Sequence, residues 1–116
     1  MPRLIDLQAG EVHILPSEGT VVVGRRADSG VVIPVPAVSA RHCMVICSSS
    51  SVEVKDVSTN GTYLSSADAP GGQRLSEQAA ALRHEDRLAL AHCCGPALLF
   101  VAAGRGLSRA LVLGGA

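Results

Sequence analysis

Apolar residues in this chain come in short runs, and most runs stop at a turn-forming residue. Leu4-Ile5-Asp6-Leu7 precedes Ala9-Gly10, and Val12-His13-Ile14-Leu15 ends at Pro16. Thr20-Val21-Val22-Val23 stops at Gly24, and Val31-Val32-Ile33 stops at Pro34. Cys43-Met44-Val45-Ile46-Cys47 runs into four serines, and residues 52–57 alternate apolar and polar with the period of a half-buried strand. Tyr63-Leu64 follows Asn60-Gly61, a strong tight-turn pair because both residues tolerate positive φ. Residues 87–91 and 97–101 are separated by Gly95-Pro96. Short β-branched runs at this spacing predict an all-β sandwich or barrel. One segment reads differently. Ser76-Glu77-Gln78-Ala79-Ala80-Ala81-Leu82-Arg83 has strong helix formers behind a serine cap, so its local preference is a short helix.

The length of 116 residues fits one small domain with a core of its own. Tyr63 and Phe100 are the only aromatics, so aliphatic side chains must fill that core. Lys+Arg and Asp+Glu are 10 each, which argues against bulk attraction to nucleic acid or an anionic membrane. Lys55 is the only lysine. The other nine cations are arginines, whose planar fork suits bidentate phosphate contacts. The start of the chain lacks the apolar stretch of a secretory signal, and no run approaches the ~18 apolar residues of a membrane span. An intracellular protein with reduced thiols is therefore expected, and Asn60-Gly61-Thr62 is read as a coincidental glycosylation sequon. The tail 104–116 is small-residue rich and reads as a frayed extension or the start of a linker to a longer protein.

Three blocks carry the candidate chemistry. They are Gly24-Arg25, Ser39-Ala40-Arg41-His42, and Asp56-Val57-Ser58-Thr59-Asn60-Gly61-Thr62. Each falls in a gap between strand-like runs. An Arg, a Ser and a Thr-Asn-Gly turn on loops of one sheet fit recognition of an anionic phosphate. Arg25 can present two parallel N–H donors, and Ser39 can donate its hydroxyl. Arg26 would fall on the opposite face and stay at the surface. Ser39 and His42 also permit a nucleophile–base reading, but no Gly-x-Ser-x-Gly elbow accompanies them. His42, Cys43, Cys47, His92, Cys93 and Cys94 are metal-capable, yet they contain no C-x2-C pair. No metal and no cofactor are expected. The cysteines are read as buried or half-buried small hydrophobes, with Cys93 and Cys94 on opposite faces of a strand.

The three blocks, in this order and at these gaps, resemble the forkhead-associated (FHA) domain. The resemblance covers about residues 1–103 and continues in Gly72-Gln73-Arg74-Leu75, in residues 82–90 and in the closing run. It implies a β-sandwich of two antiparallel sheets whose loops at one end bind phosphothreonine peptides, without catalysis. By that resemblance Arg25, Ser39, Arg41 and Thr59 would meet the phosphate, and Asn60 would pair with the peptide backbone. His42 would be buried and tie the loops together, with Gly24 and Gly61 in support. Val38 and Thr59 would border a pocket for the phosphothreonine methyl. Residues 35–38 would favour an apolar residue three places after the phosphothreonine. The implied partner is a phosphothreonine protein or peptide, met by a monomeric domain, in the nucleus before the cytoplasm. A phosphate-independent scaffold of the same fold is the alternative. Two departures stand out. Ala40 lacks the polar side chain often found there. Glu85 stands where the family usually has Gly, so a different turn type is expected. The family also has a strand in the helix-like segment, and tertiary context is expected to favour the strand.

Overall fold

The computed structural model describes residues 1–106. The tail reading of 104–116 therefore lies largely outside the described residues. Eleven strands and no helix occur among them. The strands are β1 (Arg3–Asp6), β2 (Val12–Ile14), β3 (Gly19–Gly24), β4 (Val31–Val32), β5 (Cys43–Cys47) and β6 (Val52–Asp56). They continue with β7 (Thr62–Ser65), β8 (Gln73–Arg74), β9 (Ala80–Ala81), β10 (Arg87–Leu90) and β11 (Ala97–Val101). One sheet has the order β2-β1-β11-β10-β7-β8, the other β4-β3-β5-β6-β9. Every pairing is antiparallel except the two-residue β3–β4 contact. This is the sandwich that the run spacing implies.

The core lies between the sheets and is aliphatic. Leu4, Val23, Val45, Val54, Leu88, Leu90 and Leu98 are fully buried, with Phe100 the one aromatic among them. β5 shows the logic of alternation. Cys43, Val45 and Cys47 face inward and are buried, while Met44 and Ile46 face outward and are half-buried. Each buried Leu or Val contributes about 1.5–3 kcal/mol, which is how a chain with two aromatics holds a core. Around the helix-like segment the local preference loses, as expected. Ala80 and Ala81 pair with Val54 and Glu53, so β6 completes its edge with a two-residue strand.

Register sets what the sandwich presents at one end. Val23 lies opposite Cys43, and Cys43 opposite Asp56. The end of β3, the start of β5 and the end of β6 are therefore side by side. Thr62, which opens β7, pairs with Leu90, which closes β10. Four connections, around residues 25–30, 33–42, 57–61 and 91–96, thus emerge at the same end.

The turn at Glu85 carries a backbone conformation unusual for its residue type. Glu85 has φ 69°, the left-handed region that glycine favours. A glutamate there takes a glycine-type conformation. It is held by Glu85 N–H on Phe100 O at 2.8 Å, and by the Asp86 carboxylate, which accepts from Arg83 N–H at 2.9 Å.

Candidate functional site

At Gly24 the chain passes so close to its neighbour that a Cβ would overlap the carbonyl oxygen of Ala40. This is a close-approach glycine, and it brings β3 onto the segment carrying Ser39 to His42. Arg25 N–H then donates to Ser39 O at 3.0 Å, and Arg25 Nε donates to Val38 O at 3.0 Å. The outer guanidinium nitrogens of Arg25 make no hydrogen bond or ion pair among the described residues, and the residue is exposed. Arg26 is spent locally, on Asp28 at 3.2 Å.

His42 ties the loops together. Its ring is fully buried and touches two of them. Ser39 N–H donates to Nδ1 at 3.0 Å, so Nδ1 carries no proton. Nε2 therefore carries it and donates to Gly61 O at 2.7 Å. Burial pushes the imidazole below its ordinary value, outweighing the upward pull of the Gly61 carbonyl and of Asp56. Neither ring nitrogen is bonded to the Ser39 hydroxyl. A nucleophile–base pair is thus not assembled in this geometry.

The third block closes on the second. Thr59 N–H donates to Ser39 Oγ at 3.1 Å, which leaves the hydroxyl hydrogen of Ser39 to be donated elsewhere. Asn60 Nδ2 donates to Ala37 O at 2.9 Å. Thr59 and Asn60 are both exposed. Arg41 is exposed beside them and is without an ion pair among the described residues. Arg25, Ser39, Arg41, Thr59 and Asn60 thus come to one end of the sandwich, over a support of Gly24, His42 and Gly61. One expectation is corrected. Val38 is 1% exposed, with its side chain in the core, so it does not border an open methyl pocket with Thr59.

Sequence reasoning assigned no role to the residues that shape the third block. Asp56 Oδ1 accepts from Ser58 N–H at 3.2 Å, from Ser58 Oγ at 2.6 Å and from Thr62 Oγ1 at 2.8 Å. Ser58 Oγ in turn accepts from Gly61 N–H at 2.7 Å. The signal was present as an Asp followed two residues later by Ser, the pattern of a side chain that closes a turn on its own backbone. Arg74 was missed as well. Its guanidinium lies over Gly61, where an added Cβ would stand 2.7 Å from Nε. Gly61 has φ 100°, and that left-handed backbone is what favours glycine there, since the exposed Arg74 side chain can move aside.

The cysteines differ from expectation in part. Cys43 and Cys47 are buried, but Cys93 and Cys94 are exposed. They lie in the turn between β10 and β11, not on a strand, because Gly95-Pro96 reverses the chain there. Among the described residues no three His, Cys, Asp or Glu side chains form a group able to hold a metal ion. A cleft of about 340 Å³ lies at the far end of the sandwich, lined by Ser48, Val52, Leu82, His84 and Phe100 among others. The loop site is a surface of convergent tips rather than that cleft.

The family model for the FHA domain matches residues 21–91, more than half of the chain. The chain belongs to the FHA domain family. Solved structures agree in fold. The MEK1 FHA domain in complex with a HOP1 phosphothreonine peptide is similar at 26% identity and TM-score 0.72, covering 88% of this chain and 96% of that one. An FHA domain analysed for phosphothreonine-dependent interactions is similar at 25% identity and TM-score 0.71, covering 91% and 98%. EmbR of Mycobacterium tuberculosis, in complex with a low-affinity phosphopeptide, shares the fold at 19% identity and TM-score 0.73. Here 92% of this chain covers only 26% of that one. No curated protein sequence is similar enough to count as a match. FHA domains are interaction modules, and all three sequence blocks fall within the matched residues.

Proposed function

We propose that this FHA domain binds phosphothreonine peptides in phosphorylation-dependent protein assembly, and does no chemistry on them. The observation that supports this most is the network joining Arg25, Ser39 and Thr59. Arg25 keeps its outer nitrogens free while Nε holds Val38 O, and Ser39 keeps its hydroxyl hydrogen free while Oγ accepts from Thr59. A dianionic phosphate set against them meets a guanidinium fork and a hydroxyl donor already held in place. Such charge-assisted bonds are the strong ones, and little side-chain freedom is left to lose.

Arg41 adds charge beside the phosphate, and Asn60 aligns the peptide backbone. Asn60 is already turned by its bond to Ala37 O, which fixes one donor hydrogen and leaves the other for ligand. The exposed Pro36 and Ala37 border the path of residues after the phosphothreonine, so an apolar residue three places on is favoured. The module is read as monomeric and intracellular, with the nucleus the first compartment to examine by imaging.

The test is an oriented phosphothreonine peptide library on the domain, followed by calorimetry on matched peptides. The phosphothreonine peptide should bind, and its unphosphorylated twin should not. A phosphoserine twin should be several-fold weaker, since one methyl is worth roughly 1 kcal/mol against Thr59. Equal binding of the phosphorylated and unphosphorylated peptides would establish the phosphate-independent scaffold instead.

A further inference from the structure

Cys93 and Cys94 sit where a thiol reaction would be felt by the loops. Their Sγ atoms are 3.8 Å apart and both residues are exposed. The other two cysteines are sealed in the core, where burial and then Asp56 push the Cys43 thiol up to about 12. The turn that carries the exposed pair is tight. Gly95 N–H donates to His92 O at 2.9 Å, Cys94 N–H to His92 Nδ1 at 3.1 Å, and Ala91 has φ 78°. A Cβ at Gly95 would overlap the Leu90 carbonyl oxygen. The turn is also bonded to the loop site. Ala91 N–H donates to Gly61 O at 2.9 Å, and that same carbonyl receives His42 Nε2. On its other flank, a Cβ on Gly72 would stand 3.7 Å from the Cβ of Cys93.

We propose that Cys93 and Cys94 form a reversible oxidation site, closed to a vicinal disulfide by a peroxide-class oxidant, and that closure weakens phosphothreonine-peptide binding through the Ala91–Gly61 contact. The oxidation stands on the thiol geometry alone. The coupling rests on the binding reading above.

The chemistry balances with hydrogen peroxide as the oxidant. The Cys93 sulfur attacks one peroxide oxygen, the O–O bond breaks, and a sulfenic acid and one water form. The Cys94 sulfur then attacks the Cys93 sulfur, the S–S bond forms, and the hydroxyl leaves with the thiol proton as a second water. Two thiols lose two electrons and peroxide gains them. Adjacent Cα atoms are about 3.8 Å apart across a trans peptide, less than the roughly 4.4–6.8 Å of an unstrained disulfide. The oxidised ring is thus strained, exposed and readily reduced, as labile regulatory disulfides are. Drawing the sulfurs from 3.8 Å to bonding distance must also reshape the turn, and the turn's first N–H is on Gly61.

The experiment has two arms on the whole chain. In the first, protein treated with hydrogen peroxide is alkylated, digested and weighed. The peptide spanning residues 88–105 should have lost two hydrogens and taken no alkyl group, and dithiothreitol should restore two alkylations. Sulfinic acids on these cysteines, or a covalent dimer in place of the internal bond, would overturn the site. In the second arm, calorimetry uses the phosphothreonine peptide selected by the library screen. Oxidised protein should bind at least about threefold more weakly, with recovery on reduction, and Cys93→Ser/Cys94→Ser should be indifferent to peroxide. Equal affinity of the oxidised and reduced protein would overturn the coupling. If the reduced protein binds no phosphopeptide at all, the failure belongs to the binding reading. The amide resonances of Gly61 and Ala91 then decide: a shift on oxidation supports the coupling, and silence overturns it.

Discussion

At His42, two bonds of one buried ring do the work of joining two loops. Replacing it with Ala removes both, leaving Ser39 N–H without its partner and Gly61 O with only Ala91 N–H. Unpaired buried groups cost about 1–3 kcal/mol, so His42→Ala should unfold at lower temperature and bind weakly as a consequence. A variant with an unchanged melting temperature but no binding would make His42 a ligand contact instead. Arg25 is the opposite kind of residue. It is exposed, and its only side-chain bond among the described residues is to Val38 O. Arg25→Ala should lose at least ~2 kcal/mol of phosphopeptide binding, about thirtyfold or more. Its melting temperature should shift little, by no more than one ordinary hydrogen bond of about 1 kcal/mol implies. Calorimetry beside thermal unfolding separates the two residues, since Arg25→Ala should weaken binding at a nearly constant melting temperature, whereas His42→Ala should lower the melting temperature.

Loops and turns decide how much of the element scale could be read in advance. The turn at Glu85 carries a testable cost, because a side chain in the left-handed region is strained by roughly 1–2 kcal/mol. Glu85→Gly should raise stability by about 1 kcal/mol, less whatever the carboxylate gains beside His84 at 3.9 Å. Thermal unfolding would show a rise of a few degrees, and a fall would mean the carboxylate outweighs the strain. The long strands were legible because their periodicity is their burial. β5 is a continuous apolar run whose alternate residues are buried, and β6 alternates in sequence around its buried Val54. β9 was legible only through the family resemblance, because its own residues favour a helix and its strand is defined by the neighbour that pairs with it. The same split holds at the site. Arg25, Ser39, Thr59 and Asn60 announced themselves through residue type and spacing. Asp56 and Ser58 act through bonds to nearby backbone that spacing hints at but does not orient. Val38 was misread because an apolar residue beside a loop can point either way, and here the core took it. Cys93 and Cys94 were misread because alternation was applied across what is a turn.

For the molecule as a whole, a balanced charge of 10 cations and 10 anions gives no general pull on anions. If Arg25 holds the phosphate as proposed, binding follows the ionisation of the ligand phosphate, while stability follows that of the buried His42. These two pH dependences overlap but are separable. The phosphate's second pKa is about 6, so affinity should hold from pH 7 to 8 and fall as pH drops toward 5. His42 has a folded pKa lowered from 6.5, mainly by burial. Well above 6.5 the ring is neutral in both states, and its neutral bonds contribute in full. As pH falls through 6.5 the unfolded chain takes up a proton that the folded ring resists, so stability declines until the lowered folded value is reached. Thermal unfolding of the free domain should therefore drop between pH 7 and 5, and His42→Gln should show less of that drop. Calorimetry over the same range should find a weakening affinity at a constant number of binding sites while the domain remains folded. If the number of sites falls instead, acid acts through unfolding and the phosphate assignment fails. If neither quantity moves, Arg25 does not read the dianion and His42 is not held neutral by the fold.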